Sequence, residues 1–165
     1  MSITADLATA NDTETLRELW QLYMLELAEF RKAIVLVDGR FRDDRLLTYL
    51  AYEDHWPLLI KDSNKIIGFS LIRKSKPDTH VIGEFFIKPE SRRIGVGTLA
   101  VSQIVHSFPG AWEVPFQEEN AKAAIFWRRT IAQLGCEVSE VNSPVFDNPD
   151  LSHEVWLSFT IPDID

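Results

Sequence analysis

The chain has 165 residues, 45% of them apolar and 25% charged, with a net charge of −8. That length and balance fit one domain with a sizeable core and exclude a disordered chain, and the acidic total argues against general nucleic-acid binding. A single cysteine, Cys136, excludes an internal disulfide; no basic–apolar–small leader and no apolar run of membrane-spanning length is present, so a soluble, cytoplasmic protein is expected.

Residues Ser2–Ala8 suit a short first strand. Asn11, Asp12 and Thr13 supply capping groups, and Leu16, Leu19, Trp20, Tyr23, Leu27 and Phe30 then recur at helical spacing, predicting a helix through about Phe30. Leu22 and Leu25 lie off that stripe and suggest a second contact or a pocket wall. Val37–Arg40 reads as a turn and Arg42–Ala51 as a short helix. Three strands are expected next, at Pro57–Lys61, Lys65–Arg73 and Val81–Ile87. Their connections are a hairpin-length turn at Asp62–Lys65 and a turn at Lys76–Asp78. A helix follows Gly97, carrying Val101, Ile104, Val105 and Phe108, and stops at Pro109-Gly110. Ala111–Val114 reads as a strand halted near Pro115. Asn120 opens a helix to about Leu134, with Gly135 just past its end. Glu137–Val141 suits a strand, Ser143–Ser152 a loop, and Val155, Leu157, Phe159 and Ile161 alternate as a half-buried final strand. The order predicts an α/β chain with one mixed, mostly antiparallel sheet and helices on both faces.

The most informative stretch runs from Glu84 to Thr98. An apolar strand, Glu84-Phe85-Phe86-Ile87, meets a basic loop with Lys88, Arg92 and Arg93, then Gly95-Val96-Gly97 and a helix. Glycines let a backbone approach a ligand without an intervening Cβ, and the first turn of a helix offers unpaired N–H groups and a favourable dipole for anions. Strand, basic loop, Gly-x-Gly and helix together describe a phosphate cradle.

Arg92-Arg93-Ile94-Gly95-Val96-Gly97 resembles the Gln/Arg-x-x-Gly-x-Gly/Ala signature of the GNAT superfamily of acetyl-CoA-dependent N-acetyltransferases. Asn120-Ala121-Lys122-Ala123-Ala124-Ile125-Phe126-Trp127 is similar to a second family segment, Asn-x-x-Ala-x-x-Leu/Phe-Tyr. The phrases around Phe85, Phe108–Glu113 and Phe126–Arg129 narrow the likeness to a bacterial subgroup. The resemblance implies that strands Val81–Ile87 and Ala111–Val114 lie parallel and splay, that a pantetheine arm enters the V beside Phe86 and Ile87, and that backbone N–H groups from Arg93 through Ile94, Gly95, Val96, Gly97 and Thr98 take a pyrophosphate. Arg92 and Arg93 would add charge, with one aimed inward. The Ile87 N–H would serve the thioester carbonyl, Asn120 would contact the arm or order the splayed strand, and Phe126 would flank the arm. A homodimer follows from family habit.

Glu84 is the candidate general base, because a carboxylate in an apolar strand is unusual; the competing reading is a structural hydrogen bond. Simple alternation groups Glu84 with Ile82 and Phe86, and a bulge is the one device that would re-aim it. His80 is a lesser candidate. Trp127 stands where the family often carries an acidic tyrosine, and its indole reads as packing on Ile131. His55, His80, His106 and His153 have no metal-ligand spacing with Cys136 or with one another, so no metal is expected. The expected activity is acetyl transfer from acetyl-CoA to a primary amine, on a small molecule or on a protein lysine or N-terminus, with the acidic chain leaning toward a cationic acceptor; a non-catalytic acyl-CoA-binding module is the alternative.

Overall fold

The computed structural model describes residues 2–144 and 153–164. Seven strands form one sheet in the order β1-β2-β3-β4-β5-β7-β6: β1 Ile3–Leu7, β2 His55–Asp62, β3 Lys65–Lys76, β4 Thr79–Ile87, β5 Gly110–Phe116, β6 Ser139–Ser143 and β7 Glu154–Ile161. Helices α1 Thr13–Leu27 and α2 Asp44–Ala51 cover one face, and α3 Val96–Ser107 and α4 Ala121–Gln133 the other. The element sequence is the expected one.

The apolar stripe of α1 (Leu16, Leu19, Trp20, Met24, Leu27) packs with Leu46 and Tyr49 of α2 on Phe69, Leu71 and Phe86 of the sheet. Opposite, Val101, Ile104, Val105 and Ile131 pack on Ile72, Ile82, Trp112 and Val114. Ser63 and Asn64 both adopt positive φ (49° and 73°), the backbone that a two-residue hairpin needs between twisted strands.

Several expectations change. The helix α1 stops at Leu27, and Phe30 enters the following turn, donating its N–H to Leu27 O. Leu22 and Leu25 are exposed rather than packed. Pro115 does not end its strand: β5 runs on to Phe116, because beyond Glu113 it has no partner on the β4 side and a missing N–H breaks no ladder there. The sixth strand begins two residues later than expected. Most of the Ser143–Ser152 loop lies outside the described residues.

Two departures from regular pairing position the site. The parallel pair β4–β5 holds only from Thr79↔Ala111 to Val81↔Glu113, after which the strands part. Between β3 and β4 the register slips: Ile72 faces Ile82 but Leu71 faces Glu84, leaving Gly83 as an extra residue. This bulge turns Glu84 to the α1/α2 face with Phe86, while Ile82 stays on the α3/α4 face. Simple alternation is therefore wrong for Ile82 and Glu84. Ser70 Oγ fastens the bulge by donating to the Glu84 carbonyl at 2.8 Å.

Candidate active site

Where β4 and β5 separate, two cavities meet. The larger, about 990 Å³, runs from the start of α3 to α4; the smaller, about 290 Å³, lies toward α1 and α2. Tyr23, Leu27, Phe85, Asn120, Ala123 and Trp127 line both.

The larger cavity collects nearly all the residues of the sequence motifs: Phe86, Ile87, Arg92, Arg93, Ile94, Gly95, Gly97 and Thr98 on one side, Asn120, Phe126 and Trp127 on the other. Gly95 caps α3 with φ 86°, a left-handed backbone that side chains resist. Its neighbour Gly97 lies against the Phe126 ring, which an added Cβ would approach to 2.8 Å. Among the described residues the N–H groups of Ile94, Gly95, Gly97 and Thr98 have no acceptor. Two of the expected donors differ: Arg93 N–H donates to Ser91 O at 3.0 Å, and Val96 N–H to Arg93 O at 3.2 Å. Val96 is fully buried beside Ile3, Ile60 and Ala100 and does not line the cavity.

Neither arginine points its charge freely inward. Arg92 grips both carboxylate oxygens of Glu26 at 2.7 and 2.8 Å, donates to Ile87 O at 2.8 Å and lies over the Phe86 ring. Arg93 pairs with Asp62. Their partners are distant in sequence, which is why adjacency to the glycines suggested an inward charge.

The Ile87 N–H is presented to the opening. Lys88 donates to Ile67 O of β3 at 2.8 Å, so alternation turns the preceding amide the other way, toward the side β5 has left. Asn120 Oδ1 accepts from Ala123 N–H at 3.2 Å and caps α4 at the rim of both cavities. Trp127 is buried, edge-on to Phe85 with centroids 5.3 Å apart, and Phe126 stacks on the same ring at 5.6 Å.

Glu84 lies in the wall of the smaller cavity and is buried. Its Oε1 pairs with Arg45 Nε at 2.7 Å, and its Oε2 accepts from the Tyr23 hydroxyl. Burial, then the nearby Glu84 charge, pushes the Tyr23 phenol well above its ordinary range, so it stays protonated and donates. Burial and Glu84 raise Tyr49 also. Its hydroxyl occupies the space a Cβ on Gly83 would take, which ties the glycine at the bulge to the site. His80 is elsewhere, stacked on Trp112 at 5.1 Å between Trp56 and Phe108; burial lowers its pKa and it lines neither cavity. The described residues contain no cluster of His, Cys, Asp or Glu able to hold a metal, and no helix among them is long and apolar enough to cross a membrane.

Sequence reading missed Tyr23, Arg45, Tyr49 and Glu154 as site residues. Tyr23 alone left a trace, as a hydroxyl inside an otherwise apolar stripe.

No curated protein sequence matches the chain. Solved structures do match in fold. A putative acetyltransferase from Salmonella typhimurium, holding acetyl-CoA, is 15% identical with TM-score 0.66, covering 100% of this chain and 97% of its own. A ribosomal-protein-alanine N-acetyltransferase from Brucella melitensis is 15% identical with TM-score 0.65, covering 96% and 99%. An aminoglycoside acetyltransferase in complex with coenzyme A and kanamycin is 19% identical with TM-score 0.68, covering 96% and 95%. Residues 13–130, most of the chain, match the Acetyltransferase (GNAT) family, and the chain belongs to that family of acetyl-CoA-dependent acetyltransferases.

Proposed function

We propose that the protein transfers the acetyl group of acetyl-CoA to a primary amine by direct attack. The observation that carries this reading is the meeting of two cavities at the strand splay, with an outward Ile87 N–H on one side and the Glu84 carboxylate on the other. The unengaged amides at Ile94, Gly95, Gly97 and Thr98 fit a diphosphate. Acetyl-CoA supplies an activated acyl group on a thiol.

Within that frame the roles divide. The amides before and inside the first turn of α3 bind the diphosphate. Phe126 flanks the arm, and Asn120 orders the turn that begins α4. Glu84 takes the proton from the incoming ammonium, directly or through water, while Arg45 and Tyr23 fix its two oxygens. The Ile87 N–H donates to the carbonyl oxygen as negative charge gathers there. Trp127 is no proton donor at neutral pH, so solvent protonates the departing thiolate, a stable anion with a reference pKa of about 8.5. A non-catalytic binding module would have no use for the second cavity or its held carboxylate. We place the enzyme in the cytoplasm, as a homodimer.

An amine panel assayed for free thiol released from acetyl-CoA tests the reading. Release with at least one amine, lost in Gly95→Glu because the added carboxylate repels the pyrophosphate, is the expected result. Tight acetyl-CoA binding with no release for any amine would refute transfer; undiminished binding by Gly95→Glu would refute the phosphate placement.

A further inference from the structure

The smaller cavity is cationic on balance although the chain is acidic. Its charged lining is three guanidiniums, Arg31, Arg45 and Arg73, against two carboxylates, Glu84 and Glu154. Arg45 is committed to Glu84 at 2.7 Å. The other two have no carboxylate within 4.0 Å among the described residues. Arg31 donates instead to the neutral Gln117 Oε1 at 2.7 Å, and Arg73 meets the Tyr49 hydroxyl. Glu154 is reached through Gln117, whose Nε2 donates to Glu154 Oε1 at 3.1 Å. Both guanidiniums also act on the Glu154 carboxylate across the cavity, opposing the effect of its burial, so the three leave one positive charge in excess beside neutral hydrogen-bond partners.

Their placement relative to Glu84 is informative. Glu84 faces Leu71 across the β3–β4 ladder, and Arg73 lies two residues beyond Leu71 on the same strand face, about 7 Å along it. Arg31 approaches from the end of α1 and reaches Gln117 just after β5. The cavity therefore has an amine-receiving carboxylate next to the cofactor cleft and a pair of guanidiniums set back from it.

We propose that the acceptor is a small amino acid, bound with its carboxylate on Arg31 and Arg73 and its amino group toward Glu84. This rests on the transferase reading above. Glu84 takes one proton from the ammonium and passes it to solvent; the freed amine attacks the thioester carbonyl, the C–S bond breaks, and the second nitrogen proton passes through solvent to the departing thiolate, which leaves as the thiol. The walls of Ile82, Phe85, Phe116 and Trp156 favour an apolar side chain. A polyamine or a lysine within a protein carries no group for the arginine pair and brings added positive charge to it.

The test uses the full-length enzyme and free L-amino acids, each paired with its own carboxamide and with putrescine as the cationic control. Thiol release and calorimetric titration of each amine into enzyme saturated with coenzyme A are read together. The expected result is a preference of about 10- to 100-fold for the acid over its amide, the size of a charge-assisted interaction. Arg73→Gln and Arg31→Gln should raise KM for the acid by a similar factor and leave the amide within about twofold. Equal or better use of the amides or of putrescine, by the unaltered enzyme, overturns the proposal while leaving amine acetylation intact. Binding of acids over amides without any thiol release keeps the anion site and overturns the transfer reading instead.

Discussion

Gly68→Ala tests the coupling between sheet packing and the proposed carbonyl donor, the Ile87 N–H. Gly68 faces Ile87 across the β3–β4 ladder, and a Cβ there would overlap the Phe86 carbonyl oxygen and come within 3.0 Å of Ile87 Cα. The oxygen would lie well inside an ordinary carbon–oxygen contact of about 3.2 Å, so the strands must part by about 1 Å or slightly more. The neighbouring bond from Lys88 N–H to Ile67 O, now 2.8 Å, would be stretched past the usual limit of about 3.2 Å. Overpacking of this kind costs about 1–3 kcal/mol and the weakened bond about 1 kcal/mol more. A loss of about 2–4 kcal/mol lowers Tm by about 5–15 °C in a chain of this length. The same shift carries the Ile87 amide away from its aim, and a misplacement near 1 Å can cost about 100-fold in rate. Thermal unfolding and steady-state thiol release measure the two effects. A variant melting within about 2 °C of the parent with unchanged kcat would refute the claim that Gly68 keeps this edge in place.

Glu84→Gln keeps the shape and removes the proposed base; kcat/KM should fall by about 10²- to 10⁴-fold in the thiol assay, with coenzyme A affinity unchanged by titration. Tyr23→Phe takes one donor from a buried carboxylate and should cost about 1.5–3 kcal/mol, read as a lowered midpoint in urea. Burial raises the Glu154 carboxyl above 4.5, so its stabilising contribution is complete below that pH and lost as pH rises through the native value. Glu154→Gln should therefore match the parent near about pH 4 and exceed it increasingly toward neutrality in Tm measured against pH.

Periodicity made most of the fold legible, because Leu16 to Leu27 and Val101 to Val105 report their own burial through spacing alone. The turn proposed to bind the diphosphate was legible for the same local reason: Gly95 and Gly97 act through the backbone beside them. Glu84 was not, since its face depends on a slip against Leu71 and Ile72 on another strand. The α1 and α2 partners of that carboxylate were hidden as well. Tyr23 is indistinguishable from a core residue until the sheet is beneath it, and Arg45 looks like any surface charge on a short amphipathic helix. Arg31, Arg73 and Glu154 become neighbours only when β3, β5 and β7 are assembled. Pro115 misled because a rule for central strands was applied where the sheet has opened.

The commitment of Arg92 to Glu26 and of Arg93 to Asp62 has a consequence for ionic strength. Side chains that have spent their charge act as braces, tying the loop to α1 and to the end of β2. What is left to hold an anion is the peptide dipole at contact distance, with Lys122 and Arg129 of α4 as the cations that also line the cleft. Coenzyme A affinity should thus fall only moderately between about 0.05 and 0.5 M salt, as the α4 cations are screened while the amide contacts remain. Removing Asp62 would free a cation at the rim, tighten binding in dilute buffer, and make that gain vanish as salt is added.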